Sequence, residues 1–116
     1  MNGATRNLLS LAWLALAVAA LVGCSAGSEA DDPALARGKA VYGNVCIACH
    51  HGDPTRDGAL GPAVAGASRE LIEAKTLRGE YPPGYQPKRA GAVMPTYPQL
   101  AEVIDDLAAY LAHSAN

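Results

Sequence analysis

The run Cys46-Ile47-Ala48-Cys49-His50 constrains this chain more than any other part of it. Two thiols at i and i+3 share one face of a helix, and an imidazole follows directly. Four chemistries use such a cluster: a zinc site, a thiol redox centre, a structural disulfide and a haem held by thioether bonds. Zinc needs four ligands at finger-like spacing. Here only His51 and His113 remain as further histidines, and there is no second Cys pair. A thioredoxin-like CxxC needs a βαβ setting, and no strand pattern is visible around it. A disulfide between Cys46 and Cys49 is the third alternative. The reading that uses all three side chains is covalent haem: Cys46 and Cys49 bind its two vinyl groups, and His50 lies under the iron as a ligand.

Haem iron has a second axial position. Apart from Met1 the chain has one methionine, Met94, in the Gly/Pro-rich loop Ala90-Gly91-Ala92-Val93-Met94-Pro95. Core methionines usually fill gaps between regular elements, whereas Met94 sits in a loop, and Pro95 would stiffen the backbone that holds its sulfur. Met94 is therefore the candidate second ligand. In the alternative it merely fills a gap, and the iron has His51, His113 or nothing.

The chain does not begin as a folded domain would. One cation, Arg6, precedes an apolar run, Leu8 to Gly23, interrupted only by Ser10. The run is shorter than the roughly 20 residues of a spanning helix. A charged start, an apolar stretch and small residues at its end make a signal peptide; an uncleaved anchor is the alternative. Leu21-Val22-Gly23-Cys24 is similar to a bacterial lipobox, which implies that residues 1–23 are removed and that Cys24 is lipidated. Several acyl chains would anchor it stably. Residues 24–32 are small, polar and acidic, and read as a flexible tether. A buried or disulfide-bonded Cys24 is the bland alternative.

With 9 Lys+Arg against 11 Asp+Glu, the chain has no basic footprint for nucleic acid. It has no Phe, and its one Trp, Trp13, lies in the signal segment. Five Tyr are the only other aromatic residues. That is thin for so small a domain, and a large apolar cofactor would complete the core.

The remaining pattern is all-α. A first helix is expected from Pro33 to Ala48, with Leu35, Val41, Tyr42 and Val45 as a partial apolar stripe. Gly38 inside it signals close approach of another backbone. A second is expected from Ser68, its N-cap, to Leu77, with Gly79 as terminator and Leu71, Ile72 and Leu77 facing inward. A third should run from Pro98 to His113. Leu100, Val103, Ile104, Leu107 and Leu111 mark its buried face, and Thr96 and Gln99 have capping-box spacing. Glu102, Asp105 and Asp106 fall mainly on the opposite face. The long Gly/Pro-rich loops 51–67 and 81–94 need something to wrap around.

Across about residues 33–114 the chain resembles class I c-type cytochromes. The matching pieces are GKAVYGNVCIACH, GPAVAG (Gly61 to Gly66), VMP and LAEVIDDLAAYL. The resemblance implies a class I cytochrome c fold of about three short helices around one haem c. It implies that Gly38 and Tyr42 cross the last helix near Leu107 and Tyr110, and that the Pro62 carbonyl accepts a hydrogen bond from the other nitrogen of His50. Two departures stand out. His51 occupies a position where many relatives have Gly, and is expected to be exposed near the haem edge. There is also no Trp for a haem propionate, so Tyr81, Tyr85, Lys88 and Arg89 are the candidate substitutes.

The expected function is outer-sphere transfer of single electrons outside the cytoplasm, between redox partner proteins. No paired carboxylates or nucleophile–base set suggest an enzyme or a small-molecule substrate. Three forms of this reading differ in partner: a lipid-anchored carrier, a dedicated haem subunit of a periplasmic dehydrogenase, and a sensor with a labile Met94. The lipobox resemblance implies the periplasmic side of a bacterial membrane, and Ser25 after Cys24 fits outer-membrane sorting.

Overall fold

The computed structural model describes residues 32–91 and 93–116. The signal segment, Cys24 and all of the tether except Asp32 lie outside the described residues. Three α-helices form the frame: α1 Pro33–Val45, α2 Arg69–Glu73 and α3 Ile104–His113. No strand occurs among the described residues, and no helix there is long and apolar enough to cross a membrane.

Helix α1 starts where Asp32 accepts the Ala34 N–H at 2.8 Å, with Pro33 in the first turn. The sidechain cap satisfies one of the free N–H groups of a helix start, and proline has no N–H to leave unpaired there. The α-helix ends at Val45, three residues before Ala48. Cys46–Ala48 continue as one 3₁₀ turn, in which the His50 and Cys49 N–H groups both reach the Cys46 carbonyl. The tighter winding carries the chain directly into the motif.

Ser68 caps α2 through the Leu71 N–H. The segment Ala74–Arg78 then widens into a π-helical turn, and left-handed Gly79 (φ 72°) ends it. Ile72 is buried, while Leu71 and Leu77 are half-buried. The expected capping box at Thr96 and Gln99 is absent. Tyr97 occupies the N-cap position with no side-chain bond, and Pro98–Val103 is 3₁₀-helical. Only from Ile104 does the α-helix form. The Tyr97 N–H is already engaged by the Thr76 carbonyl at 2.6 Å, and this tertiary bond, not a local cap, fixes the entry.

Helices α1 and α3 cross at Gly38. A β-carbon there would overlap the Asp106 carbonyl and stand 2.7 Å from Tyr110 Cβ. Beside the crossing, Tyr42 and Tyr110 meet with ring centroids 5.6 Å apart, and Arg37 grips Asp106 with two hydrogen bonds of 2.7 and 2.9 Å. Tyr42, Ile72, Ile104, Leu107 and Leu111 form the buried core. Leu100 and Val103 are only half-buried, and Asp106 is turned partly inward by Arg37.

The loops are tied down by backbone. The Cys49 carbonyl accepts from Leu60 and Gly61, and the Leu111 carbonyl accepts from Gly66 at 2.8 Å. Lys88 Nζ reaches the Ala63 carbonyl at 2.8 Å, and Arg89 reaches that of Gly58 at 3.1 Å. The 81–91 stretch is thereby laced onto 57–63.

Candidate cofactor site

Helices α1, α2 and α3 and both loops enclose a cavity of about 510 Å³. Cys46, Cys49 and His50 border it on the motif side. Met94 borders it too, with Tyr42, Leu71, Ile72, Leu107 and Leu111 as apolar wall. The core's inner face is thus also the cavity's wall. His51 and His113 are not among the lining residues.

The His50 ring is held on two sides. Its Nδ1 lies 2.8 Å from the Pro62 carbonyl. A carbonyl can only accept, so Nδ1 carries the proton and Nε2 keeps a free lone pair. Gly61 packs against the same ring: a β-carbon there would fall within 2.5 to 2.9 Å of three ring atoms. Gly58 is equally close to the Cys49–His51 backbone. These glycines are needed for space, and the sequence pattern alone gave no sign of that role.

His51 is half-buried rather than exposed. Its carbonyl accepts the Tyr42 hydroxyl at 2.6 Å, and its Nδ1 accepts the Asp53 N–H at 2.9 Å. The first bond ties the residue after the motif back to α1, and the second closes the turn that follows.

The Cys46 thiol is not activated. Burial pushes Cys46 up to about 11, whereas redox-active thiols are held low. Zinc needs four donors, and no group of three or more His, Cys, Asp or Glu converges among the described residues. The cavity's charge suits a planar apolar body with carboxylates at its edge. Among the described residues Lys75, Lys88 and Arg89 line it and no Asp or Glu does, although acids outnumber bases in the chain as a whole. Tyr81 and Tyr85 stack at 5.4 Å beside them, with Lys75 Nζ 4.1 Å from the Tyr81 ring centre.

The family model for cytochrome c matches residues 35–115. The chain belongs to the cytochrome c family. Its all-α architecture is the cytochrome c fold, its cofactor is covalently bound haem c, and Cys46 and Cys49 have the spacing of the attachment motif. It is a haem electron-transfer protein, of a family whose members are generally electron carriers rather than enzymes. Neither the curated proteins nor the solved structures gave a match. The residues fit the group: an apolar hollow, a preset imidazole and three lining cations, of which Arg89 also stands 3.7 Å from Asp57.

Proposed function

We propose that this cytochrome is a monohaem electron carrier working outside the cytoplasm, with Cys46 and Cys49 as thioether anchors and His50 and Met94 as axial ligands. One observation carries the reading: two thiols, an oriented imidazole and a thioether all border one apolar cavity. Haem supplies one-electron exchange at its iron. The protein's part is to hold both ligands still. His50 is preset by Pro62 and Gly61, a kind of outer bond that orients the ring and raises its basicity. Met94 sits on the stiff Met94-Pro95 link, and a methionine ligand favours the reduced state over a second histidine. The walls from α2 and α3 keep water away, which limits reorganisation when the charge changes. Lys75, Lys88 and Arg89 offset the propionates.

The lipobox resemblance at Leu21 to Cys24 supports a lipid anchor on the periplasmic side of a bacterial membrane, with Ser25 favouring the outer membrane. Redox proteins are the partners, with neither nucleic acid nor a small-molecule substrate. The test is the visible spectrum of protein matured by a periplasmic haem-attachment system. A low-spin spectrum with a far-red sulfur-to-iron band, lost in Met94→Ala, supports the reading. A high-spin spectrum that binds carbon monoxide overturns Met94 ligation, and no covalent haem overturns the whole.

A second form of the reading has one observation behind it. Leu60 and Val93 on the cavity rim are 65% and 93% exposed, as in a subunit whose rim meets a dehydrogenase. A permanent complex would survive detergent extraction and purification through a tag on this chain; a carrier would elute alone.

A further inference from the structure

The two loops that border the cavity meet at one short segment, 57–63. From the motif, the Cys49 carbonyl accepts from Leu60 and Gly61, and His50 Nδ1 reaches the Pro62 carbonyl at 2.8 Å. From the other loop, Lys88 Nζ reaches the Ala63 carbonyl at 2.8 Å and Arg89 reaches that of Gly58 at 3.1 Å. Asp57 joins the two sets. Its Oδ1 accepts the Ala63 N–H at 2.7 Å, and its Oδ2 stands 3.7 Å from the Arg89 guanidinium. The Ala63 N–H, then Arg89 and Lys88, hold the Asp57 carboxyl below its ordinary range, so it is charged at neutral pH.

Met94 rides on the second loop. Among the described residues of 86–96, the hydrogen bonds that leave the stretch come from Lys88 and Arg89. Just beyond it, the Tyr97 N–H reaches the Thr76 carbonyl at 2.6 Å. Met94 therefore hangs on a span pinned at Arg89 and at Tyr97. Packing does little to steady that span at Gly91, whose φ is 74° and whose added β-carbon would meet nothing within 4 Å. His50 has closer support, because it follows Cys49 directly and is held by Pro62 and Gly61.

We propose that Asp57, Lys88 and Arg89 form a clasp that positions Met94, fastening the loop that carries this ligand to the segment that orients His50. The inference rests on Met94 ligation as proposed above. An ammonium has three donors and a guanidinium five, so each cation can hold a carbonyl and still face a carboxylate in the cavity. When the clasp opens, the free span reaches back toward Tyr85, which is stacked on Tyr81. Loop entropy alone then favours the Met94-off state by roughly two-fold. Each net hydrogen bond given up adds roughly two- to ten-fold.

The experiment compares haem-loaded wild type, Asp57→Ala and Asp57→Asn, reading the far-red sulfur band of the oxidised protein and carbon monoxide affinity of the reduced one. Carbon monoxide enters only where Met94 has left, so its apparent affinity scales with that fraction. Asp57 does not border the cavity, so its variants leave the lining unaltered. Asp57→Ala should raise the affinity roughly two- to ten-fold. Asp57→Asn keeps an acceptor for Ala63 and loses the charge, and should raise it by up to about five-fold. Between about 10 mM and about 1 M salt the wild type should move toward Asp57→Asn, which itself should change less. Asp105→Ala, which breaks the Arg69 pair between α2 and α3, should leave the affinity unchanged. If Asp57→Ala does not mature, Asp57→Asn and the salt series make the same comparison. Unchanged affinity in the Asp57 variants, or an equal rise in Asp105→Ala, overturns the clasp and leaves Met94 ligation standing. A wild-type protein without the sulfur band overturns both.

Discussion

Gly38 and Gly43 lie on the same helix, and alanine at each should move stability in opposite directions. At Gly38 the new β-carbon would overlap the Asp106 carbonyl and stand 2.7 Å from Tyr110 Cβ, where ordinary contact begins at 3.4 Å. The obstruction is backbone, so it cannot swing aside, and α1 and α3 must separate. A gap of roughly 0.5–1 Å forfeits a quarter to a half of the dispersion attraction between facing atoms. Overpacking of this kind costs about 1–3 kcal/mol, and the upper end applies where backbone meets backbone. Alanine's better helix propensity offsets up to about 1 kcal/mol, leaving a net loss of about 2 kcal/mol. At about 4–8 °C per kcal/mol for a domain of this size, Gly38→Ala should melt roughly 8–16 °C lower. At Gly43 nothing lies within 4 Å of the added carbon, so the propensity gain stands alone and Gly43→Ala should melt up to about 4–8 °C higher. Thermal unfolding of the haem-loaded proteins, followed by far-ultraviolet circular dichroism, reads both. A Gly38→Ala protein that melts at or above wild type would refute the close crossing.

Two further substitutions probe the site. Gly61→Ala places a β-carbon against the His50 ring, so the ring should leave the Pro62 carbonyl and the low-spin spectrum should become partly high-spin; an unaltered spectrum would show that Gly61 does not set the ring. Burial pushes the Tyr42 phenol up to about 12 from its ordinary 10.0. Because the folded value lies above the unfolded one, this contribution is complete below pH 10 and is lost as pH rises toward 12. Tyr42→Phe should flatten the fall in stability across that window, although it gives up the bond to the His51 carbonyl, and an equally steep fall would assign the alkaline loss to other groups.

What the sequence made legible was whatever depends on local chemistry. CxxCH, the three apolar stripes, the Ser68 cap and the Gly79 stop each act within a turn or two of chain, and each appears in the fold. The boundaries failed where tertiary bonds override local preference. Thr96 and Gln99 carry the letters of a capping box, but the Tyr97 N–H is taken by Thr76, some twenty residues earlier, and the chain enters α3 through a 3₁₀ segment instead. The widened turn at Ala74–Arg78 has no local signature either. The half-burial of His51 has a similar origin: Tyr42, from α1, bonds its carbonyl, and the Asp53 N–H bonds its ring. The Gly61 and Gly58 contacts were illegible because a glycine needed for space is spelled the same as one needed for a turn.

The scarcity of aromatic residues has its physical account in how core and cavity share side chains. Tyr42, Ile72, Leu107 and Leu111 are buried core residues and at the same time line the 510 Å³ cavity. A domain of this length ordinarily closes its core with side chains from opposing elements. Here α1, α2 and α3 turn these residues toward a common hollow, so one rigid apolar group completes the packing that several Phe or Trp side chains would otherwise supply. The same arrangement explains why the polar exceptions cluster at the edges of the cavity. Lys75, Lys88 and Arg89 line it on one side, and His50 and Met94 border it as well. Burial is costly for any polar group that gains no bond in return. Thr76, 4% exposed in the wall of this hollow, is the one polar side chain among the described residues that is buried with the core.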